Sequence, residues 1–157
     1  MLTVSALYPH KRIPYLLHLW KKIIQKNKTL ELVLIGKNGR DEKQVLDQIK
    51  YLPRTHYYSK IPFSSLVAFY QHASVFVSSS VYEGFGYPVY EAILSGAPCV
   101  VGRKELYPES QKGITELSFN VVNDAKKVCE LVISQKLRVD VPLYKNQANV
   151  LLDVYNI

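Results

Sequence analysis

Two rhythms of apolar residues alternate along the chain. Short, nearly unbroken apolar runs recur at residues 2–7 (LTVSAL), 30–36 (LELVLIG), 74–78 (SVFVS) and 98–101 (PCVV). Between them, apolar residues return every three or four positions, the spacing of a helix with one buried face. Ile13, Leu16, Leu17, Trp20 and Ile24 predict a first helix to about residue 27. Pro14 stands near its start, where a missing N–H costs nothing. Val45, Leu46 and Ile49 predict a second helix, with Asp41 as its cap. Leu66, Phe69 and Tyr70 predict a third, opened by Pro62. A fourth is expected over residues 87–95, stopped by Gly96 at the position where glycine is favoured. Val128, Leu131 and Val132 predict a fifth, capped by Asn123, and a sixth is expected over residues 142–155. THYYS (55–59) and FNVV (119–122) read as further strands, and residues 113–115 as no more than a turn.

The strand runs are continuously apolar rather than alternating, which marks strands covered on both faces. Strands that alternate with helices in this way predict an α/β fold, a doubly wound parallel sheet of about six strands with helices on both faces. In such sheets ligands sit beyond the carboxyl ends of the strands, at the switch in strand order. The candidate loops are residues 8–12, 36–40, 59–62, 78–88 and 102–108. With 157 residues, 48% of them hydrophobic, and neither a repeat nor a linker, residues 1–157 read as one domain.

Charge and cysteine content narrow the picture. A net charge of +7 suggests an anionic partner: nucleic acid, a phosphorylated ligand or an anionic membrane face. Part of it, at Lys21, Lys22, Lys26 and Lys28, is expected on the solvated side of the first helix. No aromatic-and-basic platform accompanies the charge, so no nucleic acid is expected. Most of the 12 tyrosines, such as Tyr15 and Tyr70, fall at packing positions. No uncharged apolar run reaches the roughly 18 residues of a membrane span. Met1 leads directly into a strand, so no leader is expected. Cys99 and Cys129, in apolar surroundings, read as buried reduced thiols, which suits the cytoplasm.

The string Y82-EGFGYPVYEAILSGAPCVV-101 carries the chemistry. Gly84 and Gly86 admit backbone angles closed to other residues and let a ligand approach the main chain. Pro88 fits a first helical turn, whose N–H groups lie at the positive end of the helix dipole and suit a phosphate or a sugar hydroxyl. Glu83 precedes the turn and Glu91 follows it. A carboxylate accepts hydrogen bonds in pairs, as vicinal sugar hydroxyls supply them. Two carboxylates around amide donors therefore suit a ligand with both hydroxyls and phosphates. Taken singly, Glu91 could serve only the helix dipole and Glu83 only a solvated loop.

The string resembles the mark of the retaining, nucleotide-sugar-dependent glycosyltransferases with two Rossmann-like lobes, the GT-B type: E, seven residues, E, around EGFGxPxxEA. The flanking SSSVY and the later GAPCVV…LYPE are similar to that family too, as is VSALYPHKRIPYLL near the start. The resemblance implies the donor-binding C-terminal lobe, with the acceptor-binding N-terminal lobe lying outside this sequence. It implies a UDP- or GDP-sugar as donor, no resident cofactor and no divalent metal. Glu83 would touch the transferred sugar and Lys11 the diphosphate, as the catalytic pair. Glu91 would bind the ribose, and Ser80 and the main chain of Gly84, Phe85, Gly86 and Tyr87 the sugar and phosphate. Arg12 would assist Lys11, and the base would lie near Gly36, Lys60 and Ile61. Ser5 and Ala6 depart from the family's usual glycine and arginine, leaving Lys11 and Arg12 to hold the phosphates. His10, beside Lys11, is a further candidate, whereas His18 and His72 are expected to be structural. The resemblance also implies a saccharide or lipid-linked acceptor, cell-surface glycan synthesis and, for the latter kind of acceptor, peripheral membrane association. Two other classes stay open: a non-catalytic binding or assembly module working with a separate acceptor-binding chain, and a nucleotide-sugar epimerase, which EGFGxPxxEA does not mark.

Overall fold

The computed structural model describes residues 1–37, 39–108 and 113–136. Six parallel strands, β1 (Leu2–Val4), β2 (Leu32–Ile35), β3 (Thr55–Tyr58), β4 (Phe76–Ser78), β5 (Cys99–Val101) and β6 (Ile114–Glu116), lie in the order β3-β2-β1-β4-β5-β6. The register pairs Leu2 with both Val33 and Phe76, so the chain first builds outward from β1 on one side and then on the other. The switch in strand order thus falls between β1 and β4. The expected doubly wound sheet is present.

Helices α1 (Ile13–Lys26), α2 (Glu42–Ile49) and α5 (Val121–Lys136) cover one face, and α3 (Phe63–His72) and α4 (Tyr87–Leu94) the other. In α1, Ile13, Leu16, Leu17, Leu19, Trp20 and Ile23 are all buried. Each such side chain contributes about 1.5–3 kcal/mol through the apolar area it removes from water. Trp20 also donates from Nε1 to Thr55 Oγ1 at 2.9 Å. The helix ends where Arg54 donates to the carbonyls of Ile24, Asn27 and Leu30, satisfying acceptors that a helix end leaves open.

Four expectations are corrected. FNVV is not a strand. Phe119 takes a left-handed φ of 55°, and the Asn120 side chain accepts from the N–H groups of Val122 and Asn123, so this stretch opens α5. Asn120 therefore caps α5 in place of Asn123. Ile114–Glu116 is a strand, where only a turn was expected; it pairs with β5 through Cys99–Ile114 and its neighbours. The first strand stops at Val4, three residues short of the run that predicted it. Gly96 does follow α4 with a φ of 82°, as its position required. The helix expected over 142–155, and Glu109 of the LYPE string, lie outside the described residues.

Candidate functional site

Two strand-to-helix corners meet at the switch. The first follows β1: a short 3-10 turn over Pro9–Lys11 leads to Arg12, whose left-handed φ of 50° swings the chain into α1. The second follows β4 and runs to Gly86 at the start of α4. The corners are tied together by main-chain acceptors. Ser79 Oγ donates to the carbonyls of Lys11 (2.7 Å) and Arg12 (3.1 Å), and the Val81 N–H donates to the His10 carbonyl at 3.0 Å.

This frame brings Lys11 Nζ to 2.6 Å from Glu83 Oε2, with side-chain exposures of 16% and 11%. Residues 72 positions apart thus form an ion pair largely withdrawn from water. Attraction in such a setting is less screened than at the surface, and the hydrogen bond is charge-assisted. The pair places a cation and a carboxylate side by side at the carboxyl end of the sheet.

The glycines of the second corner play different roles. Gly86 has a φ of 81°, and a Cβ there would come within 2.5 Å of the Tyr107 ring. Gly84 does not take a left-handed angle, contrary to expectation, and its Cβ position opens onto free space. The main chain there is left approachable. Ser80 is buried, its carbonyl against Gly102, where a Cβ would come within 2.2 Å. Phe85 and Tyr87 are half exposed, their rings 4.6 Å apart, and Phe85 stacks on Tyr90 at 4.9 Å. Tyr8, His10 and Tyr82 form a second aromatic group beside the ion pair.

The other expected site residues are spread more widely. Glu91, the fifth residue of α4, is buried and accepts a hydrogen bond from the Tyr70 hydroxyl at 2.6 Å. Arg12 is not drawn toward Glu83; its guanidinium lies 4.3 Å from the centre of the Phe119 ring and 5.7 Å from that of Tyr15. Gly36 ends β2, wedged so that a Cβ would come within 1.9 Å of the Ser5 carbonyl oxygen. Lys60 is exposed beyond β3, and Ile61 packs against the α3–α4 side of the core.

Three residues at the site were not singled out as functional by the sequence: Ser79, Tyr70 and Tyr107. Tyr107 is fully buried beneath Gly86. Burial, and then the charge of Glu83, push its phenol well above the ordinary range against a smaller opposing pull from Ser78. Among the described residues, no hydrogen bond of good geometry reaches its hydroxyl. Burial likewise pushes the Cys99 thiol up to about 12. Among the described residues, no three His, Cys, Asp or Glu side chains gather as a metal site would need, and no helix is long and apolar enough to cross a membrane.

Comparison with known proteins places the fold. Residues 1–114 match the family model described as Glycosyl transferases group 1. The chain belongs to that family. It is 27% identical over 140 residues to an uncharacterized glycosyltransferase of Haemophilus influenzae, covering 85% of this chain and 39% of that protein. It is 33% identical over 107 residues to an MMP alpha-(1->4)-mannosyltransferase of Mycolicibacterium hassiacum, covering 67% of this chain and 26% of that protein. The chain therefore spans well under half the length of these curated relatives. An alpha,alpha-trehalose-phosphate synthase (UDP-forming) from Burkholderia xenovorans superposes with a TM-score of 0.71 at 13% identity, over 94% of this chain and 37% of that one. At that identity the likeness is one of fold: a Rossmann-like lobe of the GT-B type.

Proposed function

We propose that the chain is the donor-binding lobe of a retaining glycosyltransferase that moves a hexose-type sugar from a UDP- or GDP-sugar to a saccharide or lipid-linked acceptor. The observation that carries this reading is the Lys11–Glu83 pair at the strand switch, in front of a main chain left open at Gly84. The E-x7-E string from Glu83 to Glu91 and membership of the glycosyltransferase family support it.

In this reading the bond between sugar and diphosphate breaks as negative charge builds on the departing phosphate. A fixed cation and aligned amide donors, already in place, stabilise that charge without reorganising. Lys11 is the cation, and the start of α4 supplies the dipole. Glu83 exchanges its lysine partner for hydroxyls of the transferred sugar, and Glu91 faces the ribose. The pair does the work that a divalent ion does elsewhere, so the reading uses no metal and no resident cofactor. The acceptor site comes from a second lobe, so this lobe alone does not turn over. The short span of the chain against its curated relatives supports that division. The free thiols of Cys99 and Cys129 suit a cytoplasmic enzyme, working in cell-surface glycan synthesis near the inner membrane face.

Calorimetric titration with UDP, GDP, ADP and dTDP tests the reading. UDP or GDP is expected to bind below millimolar concentration. A folded protein that binds none of the four overturns it. Nucleotide binding without sugar transfer, when the acceptor-binding lobe is present, favours a non-catalytic binding module instead.

A further inference from the structure

Helices α3 and α4 lie side by side, and their contact includes a buried polar bond. Tyr70, near the end of α3, donates from its hydroxyl to Glu91 Oε2 at 2.6 Å, with Tyr70 1% and Glu91 9% exposed. The Tyr70 ring is held in turn by Phe76 of β4, with ring centres 5.7 Å apart. A length of 2.6 Å lies in the strong, charge-assisted range for a hydroxyl on a carboxylate.

Glu91 lies beyond the first turn of α4, where the helix dipole has largely faded. Burying a carboxylate is costly, and a helix–helix contact is made at no such cost by apolar residues of similar volume. A buried acid with its own tyrosine donor, set just behind a ligand corner, is the kind of placement that functional sites collect. A glutamate on a helix also has several rotamers, whereas one whose oxygen is held by a ring locked between helix and strand has few.

We propose that Tyr70 is a positioning residue for nucleotide recognition: by holding Glu91 Oε2 it sets the carboxylate so that a ligand carrying both ribose hydroxyls is preferred over one lacking them. This rests on the reading of Glu91 as the ribose contact. Tyr70 touches no ligand itself; it acts through Glu91. Tyr70→Phe removes one oxygen and keeps the ring packing.

The test titrates UDP and GDP, each beside its 2′,3′-dideoxy counterpart, into the wild-type protein, Tyr70→Phe, Glu91→Ala and the double variant, with thermal unfolding recorded for each. The wild type is expected to prefer the ribose form by about tenfold or more, the effect of a hydrogen bond to a charged group. Glu91→Ala brings the ratio to about one. Tyr70→Phe lowers it by about threefold or more, and adding Tyr70→Phe to Glu91→Ala changes it no further, as coupled residues require. A merely structural tyrosine would weaken both ligand forms alike and leave the ratio intact. That outcome, with Glu91→Ala still abolishing the preference, overturns the role of Tyr70 and leaves the Glu91 reading standing. A wild type with no preference sinks both.

Discussion

The two faces of the sheet are covered in different ways. Under α1, α2 and α5 the core is built from Leu16, Leu17, Leu19, Trp20, Ile23, Leu32, Leu34 and Val45, all fully buried, and the buried acid there, Asp124, accepts from the Tyr15 hydroxyl and from the Ser118 N–H and hydroxyl. Under α3 and α4 the core also encloses the Glu91 carboxylate, the Tyr70 and Tyr107 hydroxyls and the Cys99 thiol. Burying such groups costs free energy unless each is matched with a partner. The first face therefore holds the fold together. The second sets its buried polar groups behind the corner that carries Glu83. The GT-B likeness covers both faces, and the proposed site draws Lys11 from the corner that leads into α1 and Glu83 from the corner that leads into α4.

Truncation in the first face should hit stability hardest. Trp20→Ala is expected to cost about 3–5 kcal/mol in chemical denaturation, as a large buried ring is lost with its hydrogen bond to Thr55. Nucleotide affinity of the folded fraction should stay unchanged. A selective loss of affinity would erase the division between the faces.

Within the corner itself, the two glycines should part company. Gly86→Ala is expected to cost about 1–3 kcal/mol, because its φ of 81° and the Tyr107 ring leave no place for a methyl. Gly84→Ala should change stability by no more than about 0.5 kcal/mol, yet weaken nucleotide-sugar binding by intruding on the open main chain. Equal effects on both measures would show that the turn is only structural.

Glu83→Gln should act in an unusual direction. Removing the carboxylate that holds Lys11 at 2.6 Å frees the cation and takes away a negative charge next to the diphosphate. UDP itself is expected to bind about two- to tenfold tighter, or about 0.4–1.4 kcal/mol, while sugar transfer is lost. Weaker UDP binding would show that Glu83 helps hold the phosphates rather than competing for the lysine.

A last effect concerns the buried thiol and phenols, on both faces of the sheet. With the Cys99 thiol at about 12 in the fold and about 8.5 when unfolded, the unfolded chain loses its proton first as pH rises. Stability should then fall from about pH 9 toward pH 12, and the raised phenols of Tyr15 and Tyr107 act in the same direction. At mildly alkaline pH, alkylation should reach the half-buried Cys129 well before Cys99. Equal labelling rates in the folded protein would contradict the burial assigned to Cys99.

How far the sequence revealed this arrangement depended on the range of the interactions. The α1 stripe and the Gly96 stop were legible because helical spacing and a left-handed turn are local properties. FNVV misled because two β-branched residues look like a strand, whereas Asn120 captures the following N–H groups and starts a helix. ITE was missed because three residues beside a glycine carry too little pattern to outweigh a turn. At the site, Glu83, Gly86 and Glu91 were visible as a string. Lys11 was named through the resemblance, but its ion pair with Glu83, 72 residues away, was not legible, and Tyr70 lies 21 from Glu91 in a helix where its spacing signalled packing alone. Arg12 shows the reverse case. Its place beside Lys11 suggested phosphate, but its left-handed backbone turns the guanidinium onto Phe119.

The most direct test of the central claim is the affinity of UDP and of uridine, measured in wild type and in Lys11→Ala. If the lysine held by Glu83 is the group that receives the diphosphate, UDP should lose about tenfold or more, a charge-assisted contact being worth that much, while uridine binds as before. Equal losses for the two ligands, or none for UDP, would contradict it.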